Sequence, residues 1–199
     1  MKLEIGCGQS LESIGPEWVH NDINPFPHVE YVCKAADIPL PDKSCEYIYM
    51  RAVLEHLSYK DAIATLHKIH DLLTDDGYAD IIETPNAVSY IDGYLRLMKN
   101  GGPTPVRPKT KYVSPIPVIN PIVEMPPHYD KLSPYLRWMT IGAFGMQRWD
   151  GDDHKSLWTR DIIDFYFGQL FDYEVTENHP FSNEATHYDV RVRRKKDGQ

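Results

Sequence analysis

Lys2-Leu3-Glu4-Ile5-Gly6-Cys7-Gly8-Gln9-Ser10 opens the chain with an apolar strand end that runs straight into a glycine turn. Eighteen residues after Glu4 comes Asp22, within Val19-His20-Asn21-Asp22-Ile23. An acidic residue, a Gly-x-Gly turn and a second acidic residue about 20 positions on describe a nucleotide-type ligand lying on a βαβ unit. Glycine at such a turn lets the backbone approach the ligand, because a Cβ there would collide with it. A carboxylate ending the second strand can accept two hydrogen bonds from a ribose diol.

The residues after the turn choose between nucleotides. A dinucleotide fold wants a third small residue at position 11, for close helix-to-strand contact, and here that position is Leu11. A pyrophosphate also needs the open N-terminus of a helix. The stretch Leu11-Glu12-Ser13-Ile14-Gly15-Pro16 is too short and broken to supply one. Glu4 would repel a pyrophosphate but suits a cation. S-adenosylmethionine carries a sulfonium and an ammonium and no phosphate, so the charge pattern favours it over NAD.

Four stretches in order give the chain a family resemblance. They are Leu3 to Gly8; Gly15-Pro16-Glu17-Trp18-Val19-His20-Asn21-Asp22-Ile23; Ala36-Asp37-Ile38-Pro39-Leu40-Pro41-Asp42-Lys43-Ser44; and Tyr47-Ile48-Tyr49-Met50-Arg51-Ala52-Val53-Leu54-Glu55-His56-Leu57. Together they resemble the class I S-adenosylmethionine-dependent methyltransferases, and within them the small ones whose first helix is almost absent. The resemblance covers residues 2 to about 86, with a weaker echo in His154-Lys155-Ser156-Leu157-Trp158. It implies an α/β fold: a single Rossmann-like sheet, mostly parallel, with an antiparallel C-terminal strand. It further implies S-adenosylmethionine as cofactor and methyl transfer to the oxygen or nitrogen of a small molecule, such as a sugar or metabolite hydroxyl. Ser10 in place of the third glycine, and the nearly absent first helix, keep open a catalytically inactive binding or scaffold protein of the same fold.

Composition agrees with a single domain over 1–199. A chain of 199 residues buries roughly 70% of its unfolded surface as one α/β unit. A net charge of −8 argues against general nucleic-acid binding, which needs a basic face. The basic stretch Arg191-Val192-Arg193-Arg194-Lys195-Lys196 reads as a solvated strand end. Cys7, Cys33 and Cys45 lack paired spacing, which points to a reducing compartment without a metal knuckle. No run approaches the ~18 apolar residues of a membrane span, and no signal peptide precedes the first strand, so the expected location is cytoplasmic.

Periodicity places the elements. Glu30 to Cys33 and Cys45 to Met50 read as strands three and four, and Tyr78 to Glu83 as strand five. Between them Lys60 to Leu73 reads as an amphipathic helix, with Asp75-Asp76-Gly77 as its stop. Strands alternating with helices imply a mostly parallel sheet with right-handed crossovers. Residues 101–134 hold most of the chain's sixteen prolines, which excludes regular helix there. The stretch 87–150 therefore reads as a Pro-rich cap over the substrate side, or equally as a homodimer interface. Thr159 or Ser156 caps a helix through Leu170, and Phe171–Glu177 and Tyr188–Arg194 make a terminal hairpin.

The candidate site residues follow. The cofactor set is Glu4, Gly6, Cys7, Gly8, Asp22, Ile23, Asp37, Ile38, Met50 and Arg51. By the resemblance, Glu4 holds the methionine amino group and Asp22 the ribose. Asp37 accepts from the adenine amine, with Ile38 and Leu40 sandwiching the ring. Met50 and Arg51 follow the fourth strand at the carboxyl edge, where open α/β sheets bind ligands; Arg51 pairs either with the cofactor carboxylate or with Glu55. For proton transfer the candidates are His56, beside Glu55, then His128 and His154, because imidazole titrates near neutrality. No metal is expected: His67 and His70 share a helix face, but His56 precedes that helix. Asp150 to His154 reads as a solvated acidic turn, and Tyr135, Trp138, Trp149 and Trp158 as packing.

Overall fold

Two rows of apolar side chains run across the sheet and define its buried face. Leu3, Ile48, Ala79 and Val192 stand opposite one another on four adjacent strands, and Ile5, Met50, Ile81 and Val190 form the next row. None is more than 1% exposed. Side chains alternate along a strand, so this period-2 pattern buries one face.

The computed structural model describes residues 1–9, 15, 17–100, 154–178 and 187–195. The strands are β1 (Lys2–Ile5), β2 (Trp18–Asp22), β3 (Tyr31–Val32), β4 (Cys45–Arg51), β5 (Leu73–Pro85), β6 (Phe171–Asn178) and β7 (His187–Arg194). The helices are α1 (Tyr59–Leu72), α2 (Ala87–Asn100) and α3 (Arg160–Leu170). Strand order is β3-β2-β1-β4-β5-β7-β6. β1 to β5 pair in parallel, and β7 inserts antiparallel between β5 and β6. The chain moves outward from β1 through β2 to β3, then returns to lay β4 on the other side of β1. The carboxyl ends of β1 and β4 therefore flank a switch point, where open sheets leave a crevice.

The helices follow local chemistry. Ser58 caps α1 by accepting from Asp61 N at 3.2 Å, and Ala62, Leu66, Ile69 and Leu72 turn inward at helical spacing. Of the two residues expected to cap α3, Thr159 does so, accepting from Ile162 N. Ile163 and Phe167 of α3 join the same core as α1. Asn86 Oδ1 accepts from Val88 N and Ser89 N and so starts α2, a helix at the beginning of the stretch read as a cap. The remainder of that stretch lies outside the described residues.

Two readings need correction. Gly77 does not stop α1: the helix ends at Leu72, and β5 starts with Leu73. Asp75, Asp76 and Gly77 instead loop out of the β4–β5 ladder, which jumps from the pair Cys45–Leu73 to the pair Tyr47–Tyr78. A Cβ on Gly77 would lie 2.8 Å from Cys45 O, so close backbone approach demands the glycine. Nor is Arg191 simply solvated. It donates twice to Asp80, at 2.7 and 2.9 Å, and lies over the Tyr78 ring.

Candidate active site at the carboxyl edge of the sheet

The glycine turn leaves β1 at the switch point and is strapped to β2. Gly6 N and Cys7 N both donate to Asn21 O, at 2.8 and 3.2 Å. Gly8 N donates to Asp22 Oδ2 at 2.9 Å. Gly8 O accepts from His28 Nε2 at 2.9 Å, which places that imidazole proton on Nε2. Both glycines are left-handed, with φ of 68° at Gly6 and 63° at Gly8, a region that disfavours any Cβ. Their surroundings differ. A Cβ at Gly6 would lie 2.3 Å from Val53 Cγ2, so this glycine makes room for a side chain of the protein itself. At Gly8 a Cβ meets nothing within 4 Å among the described residues. Of the two, only Gly8 borders space left open among the described residues.

Two buried carboxylates stand by this turn. Glu4 is 4% exposed, its Oε2 3.6 Å from His20 Nε2. His20 faces Glu30 on its other side, with Nδ1 3.3 Å from Oε2. Asp22 accepts three hydrogen bonds, from Gly8 N, Asn24 N and Asn24 Nδ2. A carboxylate has about four acceptor positions, so roughly one is left for a ligand hydroxyl. Burial first, then the charges of Asp22 and Glu4, push the Cys7 thiol up to about 12. The Asp22 and Glu4 charges that disfavour a thiolate favour a cation. The open space at Gly8 and this negative field fit a sulfonium and ammonium ligand.

The remaining cofactor candidates distribute unevenly. Asp37 lies in a 3-10 turn, Ala35–Asp37, with its side chain exposed, and Ile23 is 67% exposed after β2. Ile38 and Leu40, expected as ring-sandwiching residues, are buried members of the main core, as is Met50. Burial inside the core, and not the open edge, is what their apolar character serves here. Arg51 pairs with Glu83 of β5, Nε to Oε2 at 3.0 Å, and not with Glu55 as weighed from the helical spacing. Parallel pairing puts Arg51 opposite Ile82 and so brings Glu83 within reach.

Beyond Arg51 the backbone is strained. Ala52 has φ 49° and Glu83 φ 59°, and Ala52 N donates to Ile82 O, so two left-handed non-glycine residues sit side by side where β4 and β5 end. Such residues are uncommon and concentrate at functional sites. A 3-10 turn, Leu54–His56, follows. Its Glu55 is 3% exposed, and Oε2 has no hydrogen-bond partner among the described residues. Burial, and secondarily Glu83, raise this carboxyl to about 8. His56 Nε2 is 3.9 Å from Glu55 Oε1, and the His154 ring lies 5.1 Å from that of His56, centroid to centroid. Two of the three histidines proposed for proton transfer are thus adjacent. His128 lies outside the described residues, as do Tyr135, Trp138 and Trp149. Trp158 is core packing, fully buried with Nε1 donating to Ser156 Oγ at 2.9 Å.

Sequence reasoning missed His28 and Glu83. His28 carries no motif signal, because its value comes from reaching Gly8 O across the sheet edge. Glu83 ends a strand that reads as ordinary, and only the ladder shift between Ile81 and Thr84 reveals its bulge.

Comparison with known proteins adds a family. Residues 3–81 match the family described as a methyltransferase domain, and no curated protein sequence matches the chain. Among solved structures, the PH0226 protein of Pyrococcus horikoshii superposes with a TM-score of 0.53 at 12% identity, over 98% of this chain and 81% of that one. A SAM-dependent methyltransferase from Archaeoglobus fulgidus gives 0.52 at 14% identity, over 96% and 84%. The Burkholderia thailandensis 1,6-didemethyltoxoflavin-N1-methyltransferase, solved with S-adenosylhomocysteine, gives 0.53 at 14% identity, over 98% and 71%. These likenesses establish a shared fold around the stretch that carries the family match. The glycine turn at the switch point of this sheet lies within residues 3–81, the part of the chain that matches the methyltransferase-domain family.

Proposed function

We propose that this protein transfers the methyl group of S-adenosylmethionine to an oxygen or nitrogen of a small molecule, with a sugar or metabolite hydroxyl as the first class to try. The observation that carries the reading is the open space over Gly8, flanked by the buried carboxylates of Glu4 and Asp22. Bound there, the cofactor supplies an electrophilic methyl on a sulfonium. The chain's own work is to hold it and to position the acceptor, since proximity and alignment account for much of the rate of a bimolecular displacement. In this reading Glu4 offsets the cofactor's positive charge, the Cys7 and Gly8 backbone lies against it, and Asp22 uses its remaining acceptor position for a ribose hydroxyl. Asp37 and Ile23, exposed on the same edge, take the adenine side. The acceptor side is the strained edge at Ala52 and Glu83, where His56, with Glu55 and His154 against it, is placed to accept a hydroxyl proton.

The test is calorimetric titration of the full chain with S-adenosylmethionine, S-adenosylhomocysteine and, as a control, NAD. Micromolar binding of the first two, weakened in Asp22→Ala, supports the reading. Absence of binding to both sulfur nucleosides overturns it and leaves a fold kept for scaffolding.

A further inference from the structure

We infer that Glu55, His56 and His154 form a binding site for a divalent transition-metal ion of the zinc, cobalt or manganese class at the carboxyl end of β4. One carboxylate oxygen and one nitrogen from each imidazole all lie within 4.8 Å of one another. Two imidazoles and a carboxylate are a ligand set that zinc and its neighbours take readily. Donors about 2.1 Å from a tetrahedral ion lie about 3.4 Å apart, so a trio spread over as much as 4.8 Å must contract by up to about 1.4 Å at its widest. His56 and His154 are only partly buried.

Two further observations point to a ligand. First, Glu55 is 97% buried by area, and its Oε2 has no hydrogen-bond partner among the described residues. Burying a carboxylate is costly where its polar atoms are not all satisfied, and its neighbour Glu83 adds negative charge. A cation supplies what this carboxylate lacks. Second, the third donor is held in place from far along the chain. Lys155 N and Ser156 N donate to Glu55 O at 2.8 and 3.2 Å, and Ser156 Oγ donates to Leu54 O at 3.2 Å. The Tyr59 hydroxyl donates to Leu157 O and accepts from Leu157 N. These bonds lock the backbone after His154 onto the turn that carries Glu55 and His56, which is the preorganisation a metal site needs. Sequence proximity sets His56 beside His67 and His70, whereas the fold gives it His154 and Glu55.

Three protein donors leave at least one coordination position for water or an oxygen-bearing acceptor. The use of that position in methyl transfer rests on the reading above, with the ion in place of the His56 imidazole as the group that lowers the hydroxyl's pKa; the existence of the site does not.

The test uses the full chain after dialysis against a chelator. Zinc is titrated by calorimetry and Co(II) by its visible absorption. The expected result is one equivalent of either metal, with affinity weakened at least about tenfold in Glu55→Gln and His154→Ala and unchanged in His70→Ala. As a check that needs no variant, Co(II) should shift the ring proton resonances of His56 and His154 in the wild-type protein. No binding at metal concentrations well above that of the protein, binding indifferent to both site variants, or shifts confined to other histidines overturns the proposal. Titrating S-adenosylmethionine into the same preparation separates the two readings: cofactor binding without metal removes the metal site alone, and metal binding without cofactor removes the methyl-transfer reading alone.

Discussion

Replacing each of the two turn glycines by alanine should produce two different failures. At Gly6 the added methyl lies 2.3 Å from Val53 Cγ2, where ordinary carbon contacts are about 3.5–4.0 Å. Val53 is β-branched and stiff at χ1, so the displacement of more than an ångström passes to the 3-10 turn behind it. Left-handed backbone costs alanine about 1–2 kcal/mol, and overpacking adds typically about 1–3 kcal/mol. Gly6→Ala should therefore lose about 2–5 kcal/mol, and at about 2–4 °C per kcal/mol for a chain of this size its melting temperature should fall by ~10 °C. Gly8→Ala carries only the backbone part, about 1–2 kcal/mol, because its methyl points into open space. It should stay folded yet bind S-adenosylmethionine at least about tenfold more weakly, which is 1.4 kcal/mol. Urea unfolding and calorimetric titration of both variants read the contrast. Adding Val53→Ala to Gly6→Ala should return the overpacking share as a favourable coupling of about 1–3 kcal/mol. If Gly6→Ala is no less stable than Gly8→Ala, or if Gly8→Ala binds cofactor with unchanged affinity, the assignment of the two glycines to packing and to ligand is wrong.

Asp22→Ala removes the acceptor of Gly8 N and Asn24 N and should weaken cofactor binding by about 1.5–3 kcal/mol; an unchanged calorimetric affinity rules out its role. The Cys7 thiol, moved from an ordinary 9 to about 12, should hold a thiolate population at pH 8 about 10³ times smaller than in unfolded chain. Its alkylation rate in the native protein should keep rising about tenfold per pH unit past pH 9, where that of unfolded chain levels off; a native rate that plateaus there contradicts the shift. Trp158→Ala should lose about 3–5 kcal/mol in urea unfolding, since the side chain is fully buried against Phe167 and Tyr166. A loss under 1 kcal/mol would mean the C-terminal helix does not depend on it. Thr159→Ala, which removes the cap of α3, should cost about 1 kcal/mol, and no change in unfolding midpoint refutes that bond.

Much of what depends on near neighbours is legible in the residues alone. The strand end, glycine turn and second strand of residues 2–22 follow from local apolar runs and from glycine's freedom at positive φ. The inward face of α1 follows from spacing, and Thr159 is legible as a cap because a cap bonds only three residues ahead. Composition and local pattern also sufficed for an α/β sheet with a terminal hairpin. Tertiary structure alone decided which distant residues meet. Val53 as the reason for Gly6, Glu83 as the partner of Arg51, His28 behind Gly8, and His154 beside His56 each join segments that only the sheet order makes adjacent. The glycine at position 77 misleads for the same reason: locally it reads as a helix stop, yet what excludes a Cβ there is Cys45 O, on a strand 32 residues earlier. Side-chain period and turn chemistry are encoded within a few residues, whereas the neighbours of a strand's end depend on how the whole sheet is wound.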